Sequence, residues 1–124
     1  MLVSRASRVV CGVRGLCSSS KKLVTSRDIG DVKVLTMDDG KMNAFSFAMI
    51  ADLHAALDEA ETAGAAVLTG NQKCFSAGFD LSVMGKAPSP DAAKLLGEGA
   101  ELLVRLLEFP RPLVMAAPGH AVRC

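Results

Sequence analysis

The chain has no tryptophan and no tyrosine, yet half of its 124 residues are hydrophobic and 22% are charged. That is the composition of an ordinary globular protein, neither disordered nor collagen-like, and the length leaves room for one small domain. No apolar run approaches the roughly 18–20 residues needed to cross a bilayer as a helix. The longest are short pieces such as "PLVMAAP". Four cysteines (Cys11, Cys17, Cys74 and Cys124) form no CxxC pair, and neither histidine is spaced to complete a zinc site, so no metal site is expected. Unpaired thiols in a reducing compartment follow from the same arithmetic.

Acidic residues are missing from one region only. Residues 1–27 hold Arg5, Arg8, Arg14, Lys21, Lys22 and Arg27 and no acid. All thirteen Asp and Glu lie from Asp28 onward, against eight Lys and Arg, a net −5 for residues 28–124. A body with that charge is not expected to bind nucleic acid. The basic N-terminus is a separate object. "MLVSRASRVVCGVRGLCSSSKK" is rich in Arg and Ser. As a helix it would gather Leu2, Val9, Val10 and Val13 loosely on one side, with Arg5 and Arg8 off it. This is the pattern of a mitochondrial transit peptide over residues 1–22, cleaved between Cys17 and Lys22, and it implies a matrix location. Arginines interrupt the apolar segment, which argues against a secretory signal. A basic amphipathic helix lying on a membrane surface is the alternative.

The remaining hundred residues read as alternating strands and helices. "KLVTSRD" and "DVKVLTMDD" flank Ile29-Gly30-Asp31, a turn signal that predicts a β-hairpin. "DDGKMNAF" is loop chemistry. Ser46 is placed to N-cap a helix over Phe47–Ala63, in which Met49, Ile50, Leu53, Leu57 and Ala60 recur at three- and four-residue spacing. Gly64 stops it, and "AAVLTG" follows as a short buried strand. A loop over 70–80 leads to a helical turn, "DLSVMG". After the "APSP" linker, Ser89 or Asp91 starts a second helix reaching Phe109, with a stripe of Leu95, Leu96, Leu102, Leu103, Leu106 and Leu107. Lys94–Glu98 and Glu101–Arg105 are opposite charges at i, i+4 on its other side. Pro110 and Pro112 end it, and "PLVMAA" is predicted to be a third buried strand. The fold class is therefore α/β, with a sheet covered on its faces.

One junction stands out. Thr69-Gly70 closes a buried strand, and "CFSAGFDL" opens a helical turn. Such junctions turn backbone N–H groups toward a ligand and attract an anion or a polarised oxygen. Gly78 admits a φ that most residues avoid and lets a ligand approach the backbone. Asp80 is placed to cap the turn. From spacing alone, a helix start with a useful glycine accounts for the same residues.

"KMNAFSFAMIADLHAALDEAE", "AAVLTG", "CFSAGFDLSVM" and "RPLVMAAPGHAV" together resemble, in order and in spacing, the N-terminal segments of the crotonase family, the enoyl-CoA hydratase/isomerase superfamily. The resemblance covers about residues 22–122. It implies the N-terminal portion of a β-β-α spiral fold, assembled as trimers or hexamers, in which the carbonyl oxygen of an acyl-CoA thioester sits between two backbone N–H groups. It places the first of these on Phe79. The backbone at Ser76, Ala77, Gly78, Asp80 and Leu81 would line the path of CoA and its acyl group, and Lys41 is a weak candidate for a phosphate contact. Coenzyme A enters as part of the substrate, and no other cofactor is implied. By the same resemblance the chemistry is enoyl-CoA hydration (a lyase reaction) or isomerisation, in fatty-acid or amino-acid degradation.

The sequence departs from that pattern at its end. The family's second donor lies in a glycine-rich turn after "GHAV", where this sequence reads Arg123-Cys124. The hydratases' acid/base carboxylates would come later still. Residues 23–124 are thus expected to form an incomplete, inactive crotonase-like domain. The alternative is a non-catalytic CoA-binding or assembly partner of full-length subunits. Asp58, Glu59 and Glu61 read as the solvated face and end of a helix, and Glu98, Glu101 and Glu108 as partners of Lys or Arg. His54 reads as packing or surface, and His120 as a loop residue with no base partner. Part of the apolar stripe over 90–109 and of the strand over 112–117 is expected to stay exposed. The targeting expectation is tested by fusing residues 1–25 to a fluorescent reporter. Signal confined to mitochondria is the expected outcome, and cytosolic signal overturns it.

Overall fold

A computed structural model describes residues 21–85 and 87–122. The proposed transit segment, Cys11, Cys17 and Cys124 fall outside the described residues apart from Lys21 and Lys22. The elements run β1 (Val24–Ile29), β2 (Val32–Met37), α1 (Phe47–Ala60), β3 (Ala65–Thr69), β4 (Cys74–Ser76), α2 (Leu81–Met84), α3 (Pro90–Leu107), β5 (Leu113–Ala116) and β6 (His120–Ala121). The first two strands form the expected antiparallel hairpin, with Ile29 opposite Val32 across the turn. β3 lies parallel to β2, and β5 parallel to β3, giving the order β1-β2-β3-β5. A second, two-stranded parallel sheet pairs β4 with β6. These two strands, of three and two residues, have no counterpart in the sequence reading, because a period-2 pattern cannot declare itself in so few positions.

Alternation along β2 and β3 sends Leu35, Met37, Ala66 and Leu68 to one face, where they are buried. There they meet Met49, Ile50, Leu53 and Leu57 of α1, with Leu95 and Leu102 of α3, in one apolar cluster. The expected covering holds for this face alone. On the other, Val34, Thr36, Val67 and Thr69 are only half-buried.

Both long helices begin where a side chain satisfies a free N–H. The Ser46 hydroxyl accepts from Met49 N at 3.2 Å, and the Ser89 hydroxyl accepts from Ala92 N at 3.1 Å, with Pro90 next in the first turn. Such caps are worth about 1 kcal/mol each. α1 stops at Ala60, one turn before the expected Ala63. The chain there is drawn aside, because Gly64 N donates to both the backbone and the side chain of Asp31, at 2.9 and 3.1 Å. α3 stops at Leu107 rather than Phe109.

Arg105 does not pair with Glu101. It reaches across to α1, donating to the Asp58 carboxylate, to Glu61 at 3.3 Å and to the His54 carbonyl at 3.1 Å, with Nδ1 of His54 also 3.1 Å away. Asp58 and Glu61 are therefore partners in a helix–helix tie rather than a merely solvated face. The Asp58 carboxylate, ahead of Glu61, holds the guanidinium above its ordinary pKa. Lys94 and Glu98 do pair, loosely, at 3.9 Å.

β5 is not the buried strand that its composition suggests. It sits at the open edge of the sheet, with Val114, Met115 and Ala116 exposed. The α3 stripe is likewise divided: Leu95 and Leu102 are buried, while Leu107 is 88% exposed. That division separates two substitutions. Leu53→Ala is expected to cost about 2–5 kcal/mol of unfolding free energy in urea, whereas Leu107→Ala should stay within about 0.5 kcal/mol. Equal losses would overturn this assignment of the core.

Candidate active-site loop

Asn43 organises the loop region. It is fully buried and adopts φ 53°, a left-handed conformation that Asn tolerates better than most residues. Its Nδ2 donates to the carbonyls of Met37 and Cys74, each at 3.0 Å, and of Phe75 at 3.2 Å. Its Oδ1 accepts from Asp39 N at 3.0 Å, and the Asp39 carboxylate in turn accepts from Asn43 N at 3.0 Å and Lys41 N at 2.6 Å. One amide thus joins the end of β2, the 38–45 loop and β4. Nothing in the local sequence pattern shows this role. The only signal is an Asn inside a polar turn, where an Asx bond is common.

From this anchor the two loops pair like strands. Ala77 N donates to Met42 O at 2.9 Å, Phe45 N to Gly78 O at 2.8 Å, and Asp80 N to Phe45 O at 3.1 Å. Phe45 and Phe79 form an isolated parallel bridge. The Ser76 side chain is buried. Its hydroxyl donates to Asn43 O at 2.9 Å and accepts from Gly78 N at 3.0 Å. Gly78 has φ 85°, the conformation that the sequence reading asks of it and one that costs a side-chain-bearing residue about 1–2 kcal/mol.

Phe79 sends its ring toward α3. The ring lies 6.2 Å from that of Phe45, tilted by 60°, and directly over Gly99, where a Cβ would stand 2.5–2.6 Å from two ring carbons. A glycine inside a helix costs roughly 1 kcal/mol relative to alanine. Here it is the seat of the ring. A cavity of about 230 Å³ opens beside Gly78 and Phe79, lined otherwise by Phe45, Gly99, three leucines of α3 and Val122. Among the described residues, no charged side chain lines it.

Asp80 is the N-cap of α2, as expected, accepting from Ser82 N at 2.9 Å and from the Ser82 hydroxyl at 2.7 Å. The hydroxyl, then the backbone N–H of Ser82, hold the Asp80 carboxyl below its ordinary pKa, with Lys41 helping at longer range and burial opposing. It stays ionised at neutral pH and is committed to the turn. Leu81 is exposed. Lys41 is exposed too, in a shallow polar recess with Asp38, Gly40, Asn71, Gln72 and Lys73.

β6 brings the end of the described chain to this loop. His120 N donates to Lys73 O at 3.1 Å and Val122 N to Ser76 O at 2.9 Å. His120 therefore lies in a strand pairing with Cys74 rather than in a loop. Val122 reaches the cavity, while the position expected to carry the second donor, Cys124, lies outside the described residues.

A sequence model described as Enoyl-CoA hydratase/isomerase matches residues 28–123. The chain belongs to this family. Its crotonase fold is seen in solved structures. A ligand-free enoyl-CoA isomerase of Mycobacterium tuberculosis is 42% identical and superposes with TM-score 0.72, over 77% of this chain and 42% of that one. An enoyl-CoA hydratase of Mycobacterium ulcerans is 40% identical, with TM-score 0.75, over 80% of this chain and 44% of that one. Among curated relatives, a "Probable enoyl-CoA hydratase" of Bacillus subtilis is 34% identical over 95 residues, which is 73% of this chain and 37% of the relative. A "Probable enoyl-CoA hydratase, mitochondrial" of Dictyostelium discoideum is 30% identical over 104 residues, 79% and 36%. The chain thus spans under two-fifths of the length of these curated relatives.

Asn43→Ala would strand the carbonyls of Met37, Cys74 and Phe75. At about 1–3 kcal/mol for each buried group left unpaired, a loss of roughly 3 kcal/mol or more is expected in urea unfolding. Stability within about 1 kcal/mol of the parent would show that the amide does not organise the loops.

Proposed function

We propose that this chain binds an acyl-CoA thioester at the Gly78–Phe79 loop, with the thioester carbonyl oxygen directed at the Phe79 backbone N–H. The family acts on acyl-CoA thioesters. The observation that carries the reading is the left-handed Gly78, held on both sides by backbone pairing to residues 42–45, at the position the family resemblance assigns to an oxyanion donor. Hydration and isomerisation of an enoyl thioester both build negative charge on that oxygen. A donor fixed before the reaction stabilises the charge without reorganising, and loss of one such donor costs about 10²–10³ in rate. A backbone donor needs no special side chain, so a phenylalanine is free to serve as the anchor of the loop. Ser76, Ala77, Asp80 and Leu81 shape the approach, and Lys41 with Lys73 supplies positive charge toward a phosphate.

Turnover asks for more than this loop. General acid/base catalysis needs a carboxylate within hydrogen-bond reach of the substrate. Among the described residues no carboxylate lines the cavity beside Gly78 and Phe79, and Asp80, the nearest in sequence, is taken up in capping α2. We therefore propose binding with turnover below detection. A mitochondrial matrix location and trimeric or hexameric assembly with family subunits belong to the same proposal. The exposed side of β5 favours the second reading, an assembly partner of such subunits.

Calorimetric titration with crotonyl-CoA, alongside a crotonyl-CoA hydration assay, tests both parts. The expected result is saturable binding, at least about tenfold weaker in Gly78→Val, as 1.4 kcal/mol of backbone strain implies, with no measurable hydration. Absence of binding sinks the site. Turnover at the rate of an ordinary hydratase sinks the proposed inactivity.

A further inference from the structure

α3 contains two glycines, Gly97 and Gly99, in unlike surroundings. Gly97 is exposed, and a Cβ built on it meets nothing within 4 Å. Gly99 is buried. A Cβ there would stand 2.5 Å from Cε1 and 2.6 Å from Cζ of Phe79, but 3.9 Å from Cδ1. The helix therefore meets the ring at its tip. Cζ lies on the axis about which the ring turns, so a ring flip leaves it in place and relieves nothing. A sideways swing is limited by the Phe45 ring, 6.2 Å away and tilted by 60°, and by the staggered wells of χ1. The helix is held as well. Leu95 and Leu102, on either side of Gly99, are buried in the apolar cluster, and Arg105 ties the next turn to Asp58 and Glu61.

What yields to a side chain at position 99 is the Phe79 main chain. The shortfall from an ordinary carbon–carbon contact is about 1 Å, and an end-on push is carried back along the ring to its own Cα. That backbone continues into Gly78, whose carbonyl accepts from Phe45 N at 2.8 Å, and into Asp80, whose N–H donates to Phe45 O at 3.1 Å. We infer that Gly99 is a positioning residue for the Phe79 N–H: the missing side chain lets the ring seat against α3, and the seated ring sets the direction of the peptide that carries the donor. Glycine is the poorest helix former after proline, and the ring accounts for its presence at this buried position. For its functional meaning this role rests on the acyl-CoA reading, while the seat itself exists without ligand.

The test compares the full 124-residue chain with Gly99→Ala, Gly97→Ala, Phe79→Leu and the double variant Gly99→Ala with Phe79→Leu. Amide hydrogen exchange is followed by NMR without ligand at Phe45 and Asp80, with the β1–β2 hairpin amides reporting opening of the whole fold. Gly99→Ala is expected to speed exchange at Phe45 and Asp80 at least about tenfold relative to the hairpin. Gly97→Ala should leave that ratio unchanged. In the Phe79→Leu background Gly99→Ala should have no effect, because the shorter side chain clears the added methyl. Calorimetric titration of the same proteins with crotonyl-CoA is expected to show affinity at least about tenfold weaker in Gly99→Ala, as a displacement of about 1 Å implies, and unchanged in Gly97→Ala. Unchanged exchange in Gly99→Ala overturns the seat. Equal acceleration in the hairpin overturns the positioning role by making Gly99 a requirement of the whole fold. A Gly99→Ala effect that persists in the Phe79→Leu background overturns the ring as its cause. Altered exchange with unaltered affinity overturns the link to the donor. A parent chain that binds no crotonyl-CoA sinks the acyl-CoA reading, and the exchange ratios then decide the seat by themselves.

Discussion

The candidate site depends on one buried amide. Asn43 holds three carbonyls and one N–H with a single side chain, and in doing so it fixes where β2 ends and where β4 begins. Buried polar groups are costly unless they are satisfied, and a satisfied one selects a single arrangement of the backbone around it. Every later feature of the loop follows from that arrangement. Ser76 reaches Asn43 O because β4 is held there, Gly78 can then receive Phe45 N, and Asp80 begins α2 from a fixed start. The backbone of the candidate loop is thus held by hydrogen bonds among the loops themselves.

Packing carries the same logic to the other side of the loop. The Phe79 ring is clamped between Phe45 and the backbone of α3 at Gly99, so the residue proposed to act through its main chain is held through its side chain. α3 is in turn tied to α1 by Arg105, through Asp58 and Glu61. Both carboxylates are largely exposed and therefore screened, and such surface pairs contribute about 1 kcal/mol or less. The main work of holding the helices together falls to the apolar cluster around Leu53, Leu57, Leu95 and Leu102.

Local chemistry is legible in the sequence. The Gly30 hairpin, the caps at Ser46, Ser89 and Asp80, and the special backbone at Gly78 are all announced by residue types whose preferences act within a few positions. The crotonase assignment is legible as well, because four segments agree in register. What local patterns leave out depends on distance. The partners of Asn43 lie 31 and 32 residues away, and Arg105 prefers a carboxylate 47 residues away to Glu101 one turn back. The apolar run of β5 reads as a buried strand because strands of that composition usually are buried. Its exposure is a property of what packs beside it, which no window of sequence contains.

The order of strands also sets a timetable. β1 and β2 are joined by a two-residue turn, so their pairing asks for almost no loop closure, and α1 follows within ten residues. β5 must instead find β3 across 47 residues, with Ala66 opposite Leu113. Pairings of such long separation form late. During synthesis the chain therefore emerges with its hairpin and first helix able to organise at once. Until β5 emerges, the outer edge of β3 lacks its partner, and an unpaired strand edge of that kind is where misassembly starts.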